Sequence, residues 1–131
     1  TLNIKIKQTN FLAKVNVDNE EYLIGSNGKL TKSNYLNEHL PYIFGKPEID
    51  EFLKFKKNID ESKISYKKIK SFYYYKSKRW DIELKNNILI KLSKDNIKKS
   101  LADALIFLKQ NNIEKNMIID ARINNQIIID D

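Results

Sequence analysis

Cysteine is absent from this chain, histidine occurs only as His39, and glycine stands only at positions 25, 28 and 45. Each scarcity removes a class of chemistry. Without cysteine there is no disulfide framework, no thiolate metal cage and no cysteine nucleophile, and a lone histidine supplies neither a His-rich metal site nor a dyad. So few glycines leave no GxGxxG, GxxxxGK[ST] or GxSxG pattern, the arrangements that let backbone approach a phosphate or expose a nucleophile. The sequence thus reads as binding no cofactor and no metal. Arginine is scarce too: Arg79 and Arg122 are the only ones among 24 basic residues. The formal charge of +7 invites a nucleic-acid reading, but base-edge readout and bidentate phosphate clamps favour the arginine fork. Abundant lysine, asparagine and isoleucine point instead to an AT-rich coding sequence, so no nucleic acid is expected as partner. No window holds the roughly 18 to 20 uncharged apolar residues that cross a bilayer, so this segment makes no membrane contact of its own. It begins at Thr1 rather than methionine and reads as part of a longer chain.

What is present is material for one domain: 131 residues, 41% hydrophobic and 11% aromatic, enough for a single packed core. Leu2 to Lys7 alternates with period two, as do Phe11 to Val17, with Phe11, Ala13, Val15 and Val17 on one side. A strand at Tyr22 to Ile24 closes on a tight turn through Asn27-Gly28. Tyr42 to Gly45, between Pro41 and Pro47, is too short for a helix and reads as a buried strand or buried extended segment. From Glu48 the period becomes helical through Ile49, Phe52 and Leu53 to about Asn58, with Glu48, Asp50 and Glu51 in the first turn where the helix dipole favours them. Ile59 to Lys63 reads as connective. The aromatic run from Ser65 to Tyr75 fits strand. Trp80, Ile82 and Leu84, then Ile88, Ile90 and Leu92, form a hairpin about Asn86-Asn87. Asn96 to Asn111 is an amphipathic helix with a stripe at Ile97, Leu101, Ala104, Leu105 and Leu108, capped by Ser93 or Asp95. A strand over Met117 to Ile123, a turn at Asn124-Asn125 and a strand over Ile127 to Ile129 end the chain.

Few of these residues suggest catalysis. Asp120, Asp130 and Asp131 lie near one another, and Asp81 and Glu83 share a strand face, but acids on the exposed side of alternating strands are ordinarily solvated. The chain therefore reads as non-enzymatic. Tyr66 to Lys76 mixes aromatics with lysine as a single-strand stacking platform would, which defines the alternative function, a basic single-stranded nucleic-acid-binding domain; the simpler reading is that its aromatics are packing. The terminal strand is more informative. Ile127, Ile128 and Ile129 are consecutive, so at least one points away from a one-sided core, and an end strand offers unpaired main-chain groups to another chain. A strand buried on both faces fits the same pattern.

Several segments together resemble the C-terminal periplasmic region of the bacterial cell-division family FtsQ, called DivIB in Gram-positives. Leu40-Pro41-Tyr42-Ile43-Phe44-Gly45 is similar to the family's Leu-Pro-apolar-apolar-apolar-Gly element. Arg79-Trp80-Asp81-Ile82-Glu83-Leu84-Lys85-Asn86-Asn87 is similar to its Arg-Arg-Trp-Asp-x-x-Leu-x-Asn-Gly hairpin, with Lys78 at the first arginine and Asn87 at the glycine. Ile119-Asp120-Ala121-Arg122 is similar to its Val-Asp-Leu-Arg. The resemblance implies an α+β fold, a largely antiparallel sheet with helices packed on it and the terminal strand at its edge. It implies that residues 1–9 are the last strand of a preceding POTRA domain and residues 10–131 the FtsQ-type β domain. It further implies a non-enzymatic divisome scaffold in the periplasm at the septum, on a parent protein with a single inner-membrane span. Its partners would be FtsB and FtsL, with FtsB adding a strand to the last strand. The contacts so implied are Arg122 and Ile123 before the turn and Asn125, Ile127, Ile128 and Ile129 at the edge, with Lys78 and Arg79 as a second acid contact. Self-association through the same edge is a further expectation. POTRA-like strands also suggest an outer-membrane assembly module, against which the Trp80 hairpin argues by resemblance.

Overall fold

Backbone alternation and turn chemistry build the first part of the chain. In a computed structural model, described over residues 10–32, 39–123 and 128–130, β1 (Phe11–Val17) buries Ala13 and Val15 and leaves Phe11 and Val17 exposed at its ends. Asp18 and Asn19 both take positive φ, 52° and 67°, the two-residue turn whose twist matches a hairpin, and β2 (Glu20–Gly25) returns antiparallel. At Asn27-Gly28 only Gly28 carries the positive φ. The turn leads into β3 (Leu30–Lys32), a short exposed strand that period-two reading passes over because three residues show no alternation. The strand expected over Leu2 to Lys7, and its POTRA assignment, lie outside the described residues.

β4 (Tyr42–Phe44) is the expected short strand, with Ile43 buried and Phe44 45% exposed. The helix after it, α1 (Ile49–Asp60), is longer than its periodicity suggests. Ile59, read as connective, is core, and Phe55 joins Phe52 on the buried face. The Glu51 carboxylate accepts the Glu48 N–H at 3.4 Å, holding the first turn. A single 3-10 turn over Tyr66–Lys68 precedes β5 (Ile69–Tyr74). The hairpin of β6 (Trp80–Leu84) and β7 (Ile88–Leu92) stands where alternation placed it, with Asn87 at φ 64° in the turn. Asparagine tolerates that conformation better than most non-glycine residues. α2 (Ile97–Gln110) follows without a side-chain cap from Asn96, and neither Ser93 nor Asp95 caps it. Instead the Ser93 N–H donates to Ser100 Oγ at 3.1 Å. β8 (Met117–Ala121) and β9 (Ile128–Asp130) complete the fold.

Among the described residues the strands form one sheet in the order β3-β2-β1-β4-β5-β6-β7-β8-β9. Parallel pairing joins β1 to β4, β4 to β5 and β7 to β8, and the other five neighbouring pairs are antiparallel. Two successive antiparallel steps make β7 run parallel to β5, so both helical crossovers, β4-α1-β5 and β7-α2-β8, step the same way across the sheet. The right-handed rule for such crossovers puts both helices on one face. α1 and α2 accordingly touch, and Lys98 of α2 pairs with Glu61 at the end of α1.

Under the helices runs a row of directly opposed residues, Val15, Ile43, Phe72, Ile82, Ile90, Ile119 and Ile129, from β1 to β9. All but the last are buried. At about 1.5–3 kcal/mol for each fully buried large apolar side chain, this row is a principal source of stability. Phe55 stacks on Trp80 at 4.3 Å with the rings 4° apart, and Phe72 meets Trp80 edge-on at 6.3 Å.

Candidate functional site

The free end of the sheet is made by β8 and β9. Five residue pairs hold β8 against β7, from Ile88 with Met117 to Leu92 with Ala121. Three pairs hold β9 on its far side, Ile118 with Asp130, Ile119 with Ile129 and Asp120 with Ile128. Among the described residues β9 is the last strand in the order, and an end strand presents one row of main-chain groups without a ladder partner. The core row also runs out here. Ile129 continues the line of Ile90 and Ile119 yet is 43% exposed, with Ile123 exposed nearby in sequence after β8.

On the opposite face the next row is charged. Tyr73, Asp81, Lys91 and Asp120 face one another across β5 to β8, and Asp120 is in backbone register with Ile128 of β9. Arg79 and Arg122 extend it, each two residues from an acid on its own strand face. Arg122 holds Asp120 with both arms of its fork, Nε to Oδ1 at 2.8 Å and Nη2 to Oδ2 at 2.5 Å, while its own backbone N–H donates to Oδ1 at 3.1 Å. These bonds pull the Asp120 carboxyl below the usual carboxylate range and push Arg122 up. A guanidinium has five donors, so this exposed Arg122 is oriented by Asp120 and still able to meet another acceptor.

Asp81 corrects the expectation of a solvated acid. Its side chain is wholly buried, because Tyr75 and Arg79 close over it. Tyr75 OH donates to Oδ2 at 3.1 Å and Arg79 Nη2 to the same atom at 3.3 Å. Arg79 Nε lies 3.2 Å from Oδ1, close enough for ion pairing but misaligned for a hydrogen bond, so both atoms stay unsatisfied. Burial pushes the Asp81 pKa up, against the pull of Arg79. The guanidinium also lies 4.4 Å over the Tyr75 ring.

The structure thus brings Arg79 and Arg122 onto one face near one end of the sheet, two strand spacings or about 10 Å apart. Lys78 sits in the turn between β5 and β6 at φ 69°. Ile123, Ile128 and Ile129 lie at or beside the edge, whereas Asn125 and Ile127 lie outside the described residues. Sequence reading missed Asp120 and Lys91 as members of this array; the Asp-x-Arg spacing, which puts both side chains on one strand face, is the signal that finds Asp120. The aromatics of Tyr66 to Lys76 are largely engaged within the fold. Phe72 is core, Tyr66 OH donates to the Leu12 carbonyl at 2.5 Å, Tyr73 stacks on Phe44 at 4.9 Å, and Tyr74 OH donates to Glu51. Among the described residues no three His, Cys, Asp or Glu side chains converge as a metal site.

The two aspartates are expected to act oppositely with pH. Asp120, with its lowered folded pKa, contributes stability that is present above its unfolded value near 3.9 and lost as pH falls through the folded pKa. Asp81, with its raised pKa, is protonated in the native state first, so falling pH favours the fold. Melts between pH 7 and 3 should show the stability of the parent chain relative to Asp120→Asn shrinking on acidification, and relative to Asp81→Asn growing. Slopes of the same sign for both would refute the assignment.

Comparison with known proteins bears on the fold and the family. The major extracytoplasmic domain of the trans isomer of the bacterial cell-division protein DivIB from Geobacillus stearothermophilus has a similar fold, with a TM-score of 0.56 at 11% identity over 82% of this chain and 99% of that one. At that identity the likeness concerns the fold. No curated protein matches the chain. The family model described as cell division protein FtsQ/DivIB, C-terminal, matches residues 13–122, from β1 through Arg122. The chain therefore belongs to the FtsQ/DivIB C-terminal family of cell-division proteins.

Proposed function

We propose that this chain is a non-enzymatic scaffold module on the periplasmic side of the inner membrane at the division septum, and that it recruits FtsB and FtsL by taking an FtsB strand onto β9. The observation carrying this reading is Ile129, which prolongs the buried core row to the end of the sheet and remains exposed there. An added strand would complete the row. Main-chain hydrogen bonds would supply affinity, alternate side chains against Ile129 would set register, and Arg122 and Arg79 would meet acids on the incoming segment. In the same reading Ile123, Asn125, Ile127 and Ile128 flank the added strand, Lys78 supports Arg79, residues 1–9 close a preceding POTRA domain, and the parent protein has one membrane span.

Successive residues of a strand direct their N–H groups to opposite sides, so of Ile128→Pro and Ile129→Pro one removes a bond to β8 and the other a free edge donor. The edge variant is expected to weaken FtsB capture at least tenfold in titration with melting unchanged, and the inward variant to lower the melting temperature. Undiminished capture by both variants would exclude strand addition here.

A further inference from the structure

A groove lies away from β9. Where the segment after α1 passes the lower half of α2 and the end of the β6-β7 hairpin, the fold leaves a half-open groove of about 880 Å³. Neither β8 nor β9 contributes to its walls. α2 presents to it a second stripe, Lys98, Ala102, Leu105, Ile106 and Lys109, at the three- and four-residue spacing that keeps one helix face, and Ile113 lines the groove just beyond the helix end. The first stripe, through Leu101 and Ala104, is buried against the sheet. Ile106, at 53% exposed, is the most exposed large apolar side chain among the described residues. The groove is held in shape from outside: Asn86 Nδ2 at the hairpin end donates to the Glu114 carbonyl just beyond α2, and the Ile113 N–H donates to the Leu108 carbonyl at 3.1 Å.

The charge around this apolar floor is one-sided. Lys63, Lys68, Lys98 and Lys109 line the groove against a single carboxylate, Glu61, which Lys98 already engages. Among the described residues no ion pair occupies Lys63, Lys68 or Lys109. Lys98 and Lys109 are about 16 Å apart along α2 at 1.5 Å per residue, and Lys63 and Lys68 stand on the opposite wall. A single anionic lipid head could satisfy only one part of that rim. Charges on both walls and at both ends match a polypeptide that carries acids along both flanks of an apolar stripe.

We infer that this groove docks an acidic amphipathic helix of a partner protein, laid beside α2 with its apolar residues against Leu105 and Ile106 and its carboxylates against the lysines, in the helix-in-groove mode. Ala102 lets that helix approach closely. The surface is independent of β9, so a partner can hold the module at two places.

The test uses the whole chain, isotope-labelled, and a synthetic helical peptide of about four turns with leucine along one face and glutamate on both flanks. Amide shifts should map to residues 61–68, 84–88 and 98–113. Ile106→Asp and the double variant Lys63→Glu/Lys109→Glu, all surface changes, should each weaken binding tenfold or more with melting unchanged, and the same peptide with lysine for glutamate should not bind. No binding at low ionic strength, shifts mapping elsewhere, or indifference to both variants would overturn the inference. So would a result in which phosphatidylglycerol vesicles, but not the peptide, perturb the groove. The β9 proline variants should bind this peptide as the parent does, which separates failure of this surface from failure of strand addition.

Discussion

Replacing Gly45 with alanine is expected to cost more than about 4 kcal/mol, in the extreme tail of single substitutions. Gly45 has φ +107°, and a Cβ built on it would lie 2.2 Å from the Tyr74 carbonyl oxygen and 3.1 Å from the Tyr74 carbonyl carbon. The obstruction is backbone, so no rotamer change relieves it. Tyr74 cannot retreat freely, because it pairs with Trp80 across β5 and β6 and its hydroxyl holds Glu51 in the first turn of α1. Yielding there would loosen the β4-β5 ladder, the β5-β6 hairpin and the helix start together. Gly28→Ala is the control. It shares a positive φ, 77°, but its nearest neighbours are side-chain methyls at 3.5 and 3.9 Å, so it should cost only about 1–2 kcal/mol of backbone strain. Urea unfolding of the two variants measures the difference, and a Gly45→Ala effect no larger than that of Gly28→Ala would show the clash to be relieved. The glycine that ends the Leu40-to-Gly45 motif is thus required by close approach between neighbouring parallel strands.

Trp80→Ala should destabilise by about 3–5 kcal/mol and lower the melting temperature by roughly 10–20 °C for a domain of this size. Trp80 is buried among four aromatic rings. It stacks on Phe55, lies 4.7 Å from Tyr74 and 6.2 Å from Phe52, and meets Phe72 edge-on. It therefore joins α1 to the hairpin as well as filling volume, and Trp80→Phe should recover more than half of the loss. Below the melting transition, the capture proposed at β9 should be unchanged, because Trp80 faces the helices on β6, with β7 and β8 standing between it and β9. A fall in capture with unchanged melting would move Trp80 from the core to the interface.

Much of this fold is local physics and was legible residue by residue. The period-two runs in β1, β6, β7 and β8 and the helical stripe of α2 follow from alternation and 3.6-residue spacing, which nearby residues dictate whatever lies across the sheet. Other features were not. β3 is too short to show a period. Ile59 looks like part of a polar connection until α1 is seen to continue through Asp60 and carry it into the core. Asp81 reads as solvated because alternation sorts residues to faces and says nothing of what covers a face; Tyr75 and Arg79 cover this one. The candidate site divides the same way. An isoleucine-rich terminal strand was visible, but Asp120 as the residue that orients Arg122 emerges only when strand pairing lines up Lys91, Asp120 and Ile128.

The amino-acid order by itself determined the type of each long element, the positions where turns break them and, through its lack of cysteine, paired histidine and glycine-rich loops, the absence of the usual sequence marks of catalysis. Only the tertiary structure decided that both helices share one face, that among the described residues β9 ends the sheet with Ile129 exposed, and that a lysine-rimmed groove opens beside α2. The reason is range. Periodicity and turn preference act over a few neighbouring residues, whereas strand order, crossover direction and the covering of a charge are set by contacts between segments tens of residues apart.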